Sequence, residues 1–211
     1  MLITVFGASG NVGSRIVAEA VARGHQVTAV LRDPARPHRL PPTVRIATGD
    51  ARDPEDVRRL AAGQDLLVTA TRPAPGQEDE LAIATKGLLA GLAGTGVRLL
   101  VVGGAGSLTL PGGDVTLVDS PDFPAALLPI ANACGEQLAL YRADTEVDWT
   151  YLSPAALLEP GERTGRFRLG RDELVVDADG ASAISMEDLA VALLDEAEQP
   201  AHRRARFTAG Y

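Results

Sequence analysis

A glycine-rich turn near the start of the chain constrains its fold more than any other feature of the sequence. Residues 7–13 are Gly-Ala-Ser-Gly-Asn-Val-Gly, and they join an apolar run at 2–6 to a stretch with helical apolar spacing at about 11–23. Glycines at this spacing between a strand and a helix are typical of βαβ units whose helix start binds a diphosphate through backbone amides. The sequence therefore predicts an α/β fold that opens with a dinucleotide-binding turn.

Each glycine of this turn has its own physical role. Gly7 allows the sharp turn after the strand, Gly10 lets a pyrophosphate approach the backbone, and Gly13 lets the helix pack closely on the strand. A tight turn without a ligand is the less favoured interpretation, because the motif lies between a predicted strand and a predicted helix.

The rest of the chain alternates short Val-, Ile- and Leu-rich runs with helical stretches, as in a parallel sheet buried on both faces. Strands are predicted at 2–6, 26–31, 44–48, 65–70, 98–102 and 148–152, and helices at about 11–23, from 53–54 onward, at about 77–93 and at about 131–143. A long loop is predicted at 103–129, then a hairpin of 166–169 with 174–176, a strand and helix start capped by Ser185, and a last strand at 205–208.

These elements predict an α/β fold class, a Rossmann-type doubly wound parallel sheet with helices on both faces. The 211 residues suit one dinucleotide-binding domain over 1–211, with a small excursion at about 155–183 near the substrate cleft.

Composition narrows the possible partners and the compartment. A net charge of −8 argues against nucleic acid and anionic membranes, which both favour a basic surface. The single cysteine, Cys134, cannot form an internal disulfide, and no apolar run approaches the roughly 18 residues of a membrane span. We expect a cytoplasmic protein, monomeric or homodimeric, that acts on a small molecule.

The end of the second predicted strand bears on the choice of dinucleotide. Arg32 lies where it can pair with the 2′-phosphate of NADP(H), and Arg36 and Arg39 are near enough to assist. Asp33 could instead hold the ribose 2′-hydroxyl of NAD(H), but a helix cap before Pro34 is its favoured role. The sequence therefore favours NADP(H) over NAD(H).

Two further residue pairs follow predicted strands at the same edge of the sheet. Asp50 and Ala51 are placed to meet the adenine edge, although Asp50 could equally be a cap or turn residue. Ala70 and Thr71 are expected to pass beneath the adenosine ribose and the diphosphate.

The motifs together resemble atypical short-chain dehydrogenases/reductases. The resemblance covers nearly the whole chain and is carried by residues 7–13, 31–34, 49–50, 101–107, 152–156 and 184–190. Among these proteins the chain is most similar to the NADH-flavin reductases, with biliverdin reductase B as a more distant relative. The resemblance implies a Rossmann domain that binds NADP(H), with flavin or another planar acceptor over the nicotinamide. The cofactor contacts that it implies are Gly7, Ser9, Gly10, Asn11, Val12, Arg32, Asp50, Ala51, Ala70, Thr71, Gly103, Gly104 and Pro154.

The catalytic dyad of typical short-chain dehydrogenases cannot form in this chain. That dyad is a tyrosine with a lysine four residues later, which tunes the tyrosine for proton transfer. The only lysine, Lys86, has Ala82 four residues before it, so neither Tyr141 nor Tyr151 can belong to such a pair. Ser107, just beyond the fifth predicted strand, is the one candidate catalytic group, although a plain loop hydroxyl is its favoured role.

The missing dyad favours an acceptor that needs no strong protein acid. We therefore expect an NAD(P)H-dependent reductase of a flavin, a quinone or another small conjugated acceptor. A non-catalytic NADP(H)-binding redox sensor is the first alternative, and a sugar-type epimerase or isomerase is the second. No metal site is expected, because the three histidines are scattered and the acidic residues at 114, 119 and 122 form no ligand pattern.

Overall fold

The computed structural model of the protein describes residues 1–35, 38 and 40–211, and in them eight strands form one mostly parallel sheet. The strands are β1 Leu2–Phe6, β2 Gln26–Leu31, β3 Arg45–Thr48, β4 Leu66–Thr69, β5 Arg98–Val102, β6 Trp149–Ser153, β7 Leu157–Glu159, β8 Arg168–Gly170, β9 Ala183–Ser185 and β10 Ala205–Gly210. The helices are α1 Asn11–Ala22, α2 Pro54–Ala61, α3 Glu80–Leu92, α4 Leu128–Ala143 and α5 Met186–Glu198, with short 3₁₀ turns at Leu117–Asp119 and Ala125–Leu127.

The strand order creates a crevice at one edge of the sheet. The order is β3-β2-β1-β4-β5-β6-β10-β8, and all neighbours are parallel except β10 and β8. From β1 the chain winds outward through β2 and β3, then returns to the other side of β1 with β4. Ligands bind outside the carboxyl ends of the strands at such a reversal. The predicted Rossmann-type fold is confirmed.

Helices cover both faces of the sheet and explain why its central strands are mostly apolar. On one face, α1 and α5 pack together, and Ile16 and Leu193 are fully buried in that core. On the other face lie α2, α3 and α4, with Leu88 and Tyr141 buried against the sheet. No helix in the described ranges is long and apolar enough to cross a bilayer.

Two helices begin at other residues than predicted. Helix α4 starts at Leu128 rather than about 131, because Pro129 occupies its first turn, where proline is tolerated. Helix α3 starts at Glu80 rather than about 77, because a turn precedes it in which the Glu78 carboxylate accepts a hydrogen bond from Gly76 N. The predicted loop at 103–129 thus ends two residues early, and it contains both 3₁₀ turns.

The predicted hairpin of 166–169 with 174–176 is wrong. Strand β8 pairs antiparallel with β10, with Gly170 opposite Thr208, and residues 174–176 form no strand. The edge of an existing sheet is a better partner than a hairpin of two short strands, which has little stability of its own. Val175 instead packs beside Gly170 and Gly210, where an added Cβ would lie 3.1 Å and 3.0 Å from its side chain.

The elements near the carboxyl end were otherwise predicted correctly. Ser185 caps α5, and its Oγ accepts a hydrogen bond of 2.9 Å from Asp188 N. The last strand, β10, lies parallel to β6 and extends two residues beyond the predicted 205–208. Earlier in the chain, α2 begins where the sequence predicts it, with Asp53 as its N-cap and Pro54 in the first turn.

Candidate functional site

A cleft of ≈ 420 Å³ lies at the carboxyl ends of β1, β2 and β4, where the strand order reverses. It brings together the predicted contacts Gly7, Ser9, Gly10, Asn11, Val12, Arg32, Asp50, Ala51, Ala70 and Thr71. It is also lined by Phe6, Val30, Leu31, Gly49, Arg52, Arg72, Pro73, Glu80, Leu81, Ala84, Leu158 and Met186. The cleft is therefore formed by both the glycine-rich turn and the loops of neighbouring strands.

The backbone of the turn leaves no room for side chains at its first and last glycines. Gly7 has a φ of +75°, and an added Cβ would lie 2.6 Å from the carbonyl oxygen of Ala70. An added Cβ at Gly13 would lie 2.0 Å from the carbonyl oxygen of Gly7. These two glycines therefore allow β1, the β4 loop and α1 to pack against each other, as the sequence predicts.

Gly10 differs, because it lines the cleft and has more free space around the position of an added Cβ. An added Cβ at Gly10 would meet only the Gly7 carbonyl oxygen, at 3.2 Å. Gly10 is the N-cap of α1, no side chain caps the helix, and no acidic residue lies in its first turn. The first amides of a helix lack partners within it and carry partial positive charge. This cradle fits a diphosphate, and a side chain at Gly10 would fill it.

Four charged side chains meet at the other end of the cleft, beyond β2 and β3. Arg52 donates from Nε and Nη2 to the Asp50 carboxylate and from Nη1 to Glu80 Oε1 at 2.8 Å. Arg32 lies near the second Glu80 oxygen, with 3.9 Å between Nη1 and Oε2. Burial tends to raise the pKa of Asp50, but the hydrogen bonds from Arg52 and the charge of Arg32 lower it overall. Asp50 also accepts from Arg52 N at 3.0 Å, so it closes a turn while lining the cleft.

The predicted role of Asp33 as a helix cap is wrong. Its Oδ1 accepts a hydrogen bond from Ala35 N, and the described residues that follow form a turn without a helix. Aspartate stabilises such turns with its own side chain, which competes with helix formation. Arg36 and Arg39, predicted to assist Arg32, lie outside the described residues.

Gly103, Gly104, Ser107 and Pro154 lie outside the lining of the cleft, at the ends of β5 and β6. An added Cβ at Gly103 would lie 1.9 Å from the Tyr151 ring, and one at Gly104 would lie 2.8 Å from Cys134 Cβ. Both glycines thus have a packing role, while their contact with a nicotinamide stays a prediction. Pro154 directly follows β6 and is buried.

Ser107 is held by a buried arginine of the last strand. Arg206, 7% exposed, donates from Nη1 to Ser107 Oγ at 2.8 Å and to the Ser107 carbonyl oxygen at 3.1 Å. The same guanidinium donates from Nε to Asp172 Oδ1 at 2.9 Å. These bonds anchor the long loop to β10, and the Ser107 hydroxyl oxygen already accepts a hydrogen bond from Arg206. A catalytic role of Ser107 stays a prediction.

Comparison with known proteins shows to which family the chain belongs. Residues 7–200 match the model of a family described as NAD(P)H-binding. The chain is 41% identical to the Bacillus subtilis "Uncharacterized protein YwnB", with 99% of this chain and 97% of that protein covered. The chain belongs to the NAD(P)H-binding family.

Two solved structures show the same fold over the whole chain. A "Putative exported protein" from Burkholderia pseudomallei has a TM-score of 0.90 at 42% identity, with 100% of each chain covered. A "putative NADH-flavin reductase" from Streptococcus pneumoniae has a TM-score of 0.89 at 33% identity, with 100% of this chain and 99% of that chain covered. The resemblance to atypical short-chain dehydrogenases is confirmed, and the cytoplasmic location stays a prediction.

In this member of the NAD(P)H-binding family, Tyr141 and Tyr151 are buried and Cys134 is partly buried. Tyr151 is fully buried, and its hydroxyl donates to either the Cys134 carbonyl oxygen or Gln137 Oε1, at 3.1 Å and 3.2 Å. Burial raises the pKa of Tyr151 well above its usual value and raises that of Tyr141 as well. Burial also raises the pKa of Cys134 to about 11, against a smaller opposing effect of the Arg72 charge. None of these groups is suited to donate a proton or to act as a nucleophile.

Several residues of the cleft were missed or interpreted differently from the sequence. Arg52 follows Asp50 and Ala51 at the carboxyl end of β3, a position that could have marked it. In the sequence Glu80 fits an acidic residue at a helix start, yet in the structure its carboxylate faces two arginines. Leu158 and Met186 enter the cleft from β7 and the start of α5, and the sequence carries no local signal for that approach.

Proposed function

We propose that this protein is an NADP(H)-dependent reductase of a flavin, a quinone or another small conjugated acceptor. The observation that carries the proposal is the cleft itself, in which a helix N-terminus and Gly10 form one end and Arg32 and Arg52 form the other. The name of the Streptococcus pneumoniae relative, "putative NADH-flavin reductase", supports the acceptor class. That name supports NADH as the donor, whereas the two arginines support NADPH.

Different residues of the cleft bind different parts of the cofactor. The first amides of α1 hold the diphosphate, and Arg32 attracts the 2′-phosphate at the adenosine end. A bound reduced nicotinamide supplies a hydride to an acceptor that lies against it. The protein contributes distance and orientation, which alone can lower a reaction barrier by several kcal/mol.

The burial of Tyr141 and Tyr151 favours an acceptor that needs no protein acid. A flavin or quinone ring receives the hydride and spreads the added electron pair over its conjugated system, and water supplies the proton. A simple ketone lacks this stabilisation and needs a proton donor at its oxygen. Tyr141 and Tyr151 cannot supply one, because both rings are fully buried.

The proposal is tested by following NADPH oxidation by the purified protein with FMN, FAD and quinones as acceptors. A reductase oxidises many equivalents of NADPH per protein molecule when one of these acceptors is present. Tight NADPH binding without turnover on any acceptor would contradict the proposal and support a non-catalytic redox sensor. Interconversion of a sugar substrate without net NADPH oxidation would support an epimerase.

Arg32→Ala is expected to weaken NADPH binding and leave NADH binding almost unchanged. Charge-assisted hydrogen bonds to the 2′-phosphate contribute about 1.5–3 kcal/mol, which is roughly 10- to 150-fold in Kd. Calorimetry with both cofactors measures the change. Arg45→Ala is the matched control, because Arg45 is also exposed but lies at the amino end of β3, away from the cleft. An unchanged NADPH affinity in Arg32→Ala, or an equal loss for both cofactors, would contradict the role of Arg32.

Tyr151→Phe and Tyr141→Phe are each expected to leave the reductase turnover within about tenfold of the unaltered protein. A positioned general acid contributes around 10²–10⁴-fold, and neither buried hydroxyl can act as one. Turnover is measured per folded molecule, because loss of the Tyr151 hydrogen bonds lowers stability by about 1 kcal/mol. A loss of a hundredfold or more with intact NADPH binding would show that a tyrosine is the proton donor and that the acceptor is a simple carbonyl.

A further inference from the structure

Glu80 occupies an unusual position for a carboxylate in a cleft that receives an anionic cofactor. It is the first residue of α3, and it lines the cleft beside Arg32 and Arg52. Each of its two carboxylate oxygens faces a different arginine, Oε1 at 2.8 Å from Arg52 Nη1 and Oε2 at 3.9 Å from Arg32 Nη1. A negatively charged group placed between two guanidinium groups resembles the environment in which a phosphate is bound.

Among the residues that the structure describes, the charges of this cluster are balanced. Two arginines, Arg32 and Arg52, meet two carboxylates, Asp50 and Glu80. A phosphate monoester brings between one and two negative charges at neutral pH. Its arrival leaves the cluster with an excess of negative charge unless a carboxylate moves away. Repulsion between like charges in a partly buried site opposes binding.

Glu80 is the less constrained of the two carboxylates. Asp50 is held by the Arg52 backbone N, Nε and Nη2, and its own backbone N donates to Asp56 Oδ2. Glu80 has one hydrogen bond within the cluster, from Arg52 Nη1, and a longer contact with Arg32. Its side chain is 27% exposed, so water can hydrate the carboxylate once it leaves.

We propose that Glu80 takes the place of the 2′-phosphate in the free protein and thereby sets how strongly the site prefers NADPH over NADH. NADPH binds by displacing the Glu80 carboxylate from Arg32 and Arg52. NADH carries a 2′-hydroxyl instead, which can donate a hydrogen bond to a carboxylate that stays in place. Glu80 is thus a specificity-determining residue that reduces discrimination against NADH. This inference rests on the proposed function, because it requires a dinucleotide in this cleft.

The test measures Kd for NADPH and NADH by calorimetry in the unaltered protein and in Glu80→Gln. We expect Glu80→Gln to tighten NADPH binding about tenfold, because one charged competitor and one repulsive charge are removed. NADH binding should stay constant or weaken several-fold. Adenosine 2′,5′-bisphosphate and 5′-AMP serve as probes of this end of the site alone and should show the same change in ratio.

Glu78→Gln is the matched control, because Glu78 is partly exposed, as Glu80 is, lies two residues away and does not line the cleft. The glutamine oxygen can still accept the hydrogen bond from Gly76 N. Glu78→Gln removes the same charge and should leave both affinities unchanged. Glu80→Ala is the second variant, and it should change the NADPH to NADH ratio in the same direction as Glu80→Gln.

Two outcomes would overturn the inference. An unchanged ratio in both Glu80 variants would show that the carboxylate does not compete with the phosphate. Weaker NADPH binding in both would show that Glu80 instead orients the arginines for the phosphate. Failure of the unaltered protein to bind either cofactor would contradict the proposed function itself. The experiment therefore distinguishes a wrong inference about Glu80 from a wrong proposed function.

Discussion

Gly10→Val is expected to abolish dinucleotide binding while the protein still folds. Gly10 has φ −73° and ψ 170°, an extended conformation that valine adopts readily, and an added Cβ meets only one carbonyl oxygen. The branched side chain would project into the cradle formed by the first amides of α1. Because several charge-assisted bonds to the diphosphate are lost together, the affinity should fall by at least about a hundredfold.

Calorimetry with NADPH measures the loss, and thermal unfolding confirms that the variant is folded. Gly113→Val is the matched control, because Gly113 is exposed in the long loop and the nearest atom to an added Cβ is 4.0 Å away. Gly7 and Gly13 cannot serve in this test, because side chains there would collide with the backbone and disrupt the turn. Affinity equal to that of the unaltered protein in Gly10→Val would place the dinucleotide elsewhere.

The sequence predicts the diphosphate cradle well because that part of the site is made of backbone. The spacing of glycines between a strand and a helix determines where amides point, whatever the surrounding loops do. Strands β1 and β4 are also predicted from a local signal, since each is a short, mostly apolar run that is buried on both faces. These signals are local, and tertiary contacts reinforce them.

The side-chain part of the site depends on contacts between distant residues. Arg52 and Glu80 are 28 residues apart and meet only because the loops after β3 and β4 reach the same edge of the sheet. The charge of Glu80 also suits a helix start, which is a sufficient local explanation and hides its position in the cleft. The wrong hairpin has a similar cause, because β8 takes β10 as its partner and that pairing spans about forty residues.

Gly103 and Gly104 show how one sequence pattern can serve two purposes. The resemblance implies that they contact the cofactor, and the structure gives each of them a packing neighbour, Tyr151 or Cys134. Because glycine has no side chain, Gly103 leaves room for the buried Tyr151 ring on one side. On its other side the backbone could still contact a cofactor. Packing alone is therefore sufficient to require glycine here, and sequence reasoning cannot separate it from cofactor contact.

Arg98→Met is expected to lower the free energy of unfolding by about 3–5 kcal/mol, the range for breaking a buried ion pair by removing one partner. Arg98, 7% exposed, pairs with the Glu196 carboxylate, and it donates from Nη1 to the Glu196 carbonyl oxygen and from Nη2 to Thr150 Oγ1. The variant leaves the Glu196 carboxylate, 4% exposed, without its arginine. Its hydrogen bonds from Ala201 and His202 remain.

Denaturant unfolding at neutral pH measures this change. Arg203→Met is the matched control, because Arg203 pairs with Asp148 at the surface with its side chain 61% exposed, and such pairs contribute about 1 kcal/mol or less. Arg98 begins β5, at the opposite edge of the sheet from the cleft, so NADPH affinity should stay unchanged in the folded variant. A loss below about 1 kcal/mol in Arg98→Met would show that the interior tolerates the lone carboxylate.

Acidification gives a second measurement on the buried pair of Arg98 and Glu196, through the variant Glu196→Gln. Burial alone raises the pKa of Glu196, but hydrogen bonds from His202, Ala201 and Arg98 outweigh it, so the pKa lies below the ordinary 4.5. A carboxyl whose pKa is lowered by folding stabilises the protein above the unfolded-state pKa, and this contribution is lost as the pH falls through the folded-state pKa. The stability difference between the unaltered protein and Glu196→Gln should therefore be full at neutral pH and shrink as the pH falls below 4.5. A difference that stays constant down to the acid transition would mean that packing of the side chain, rather than its charge, stabilises this edge of the sheet.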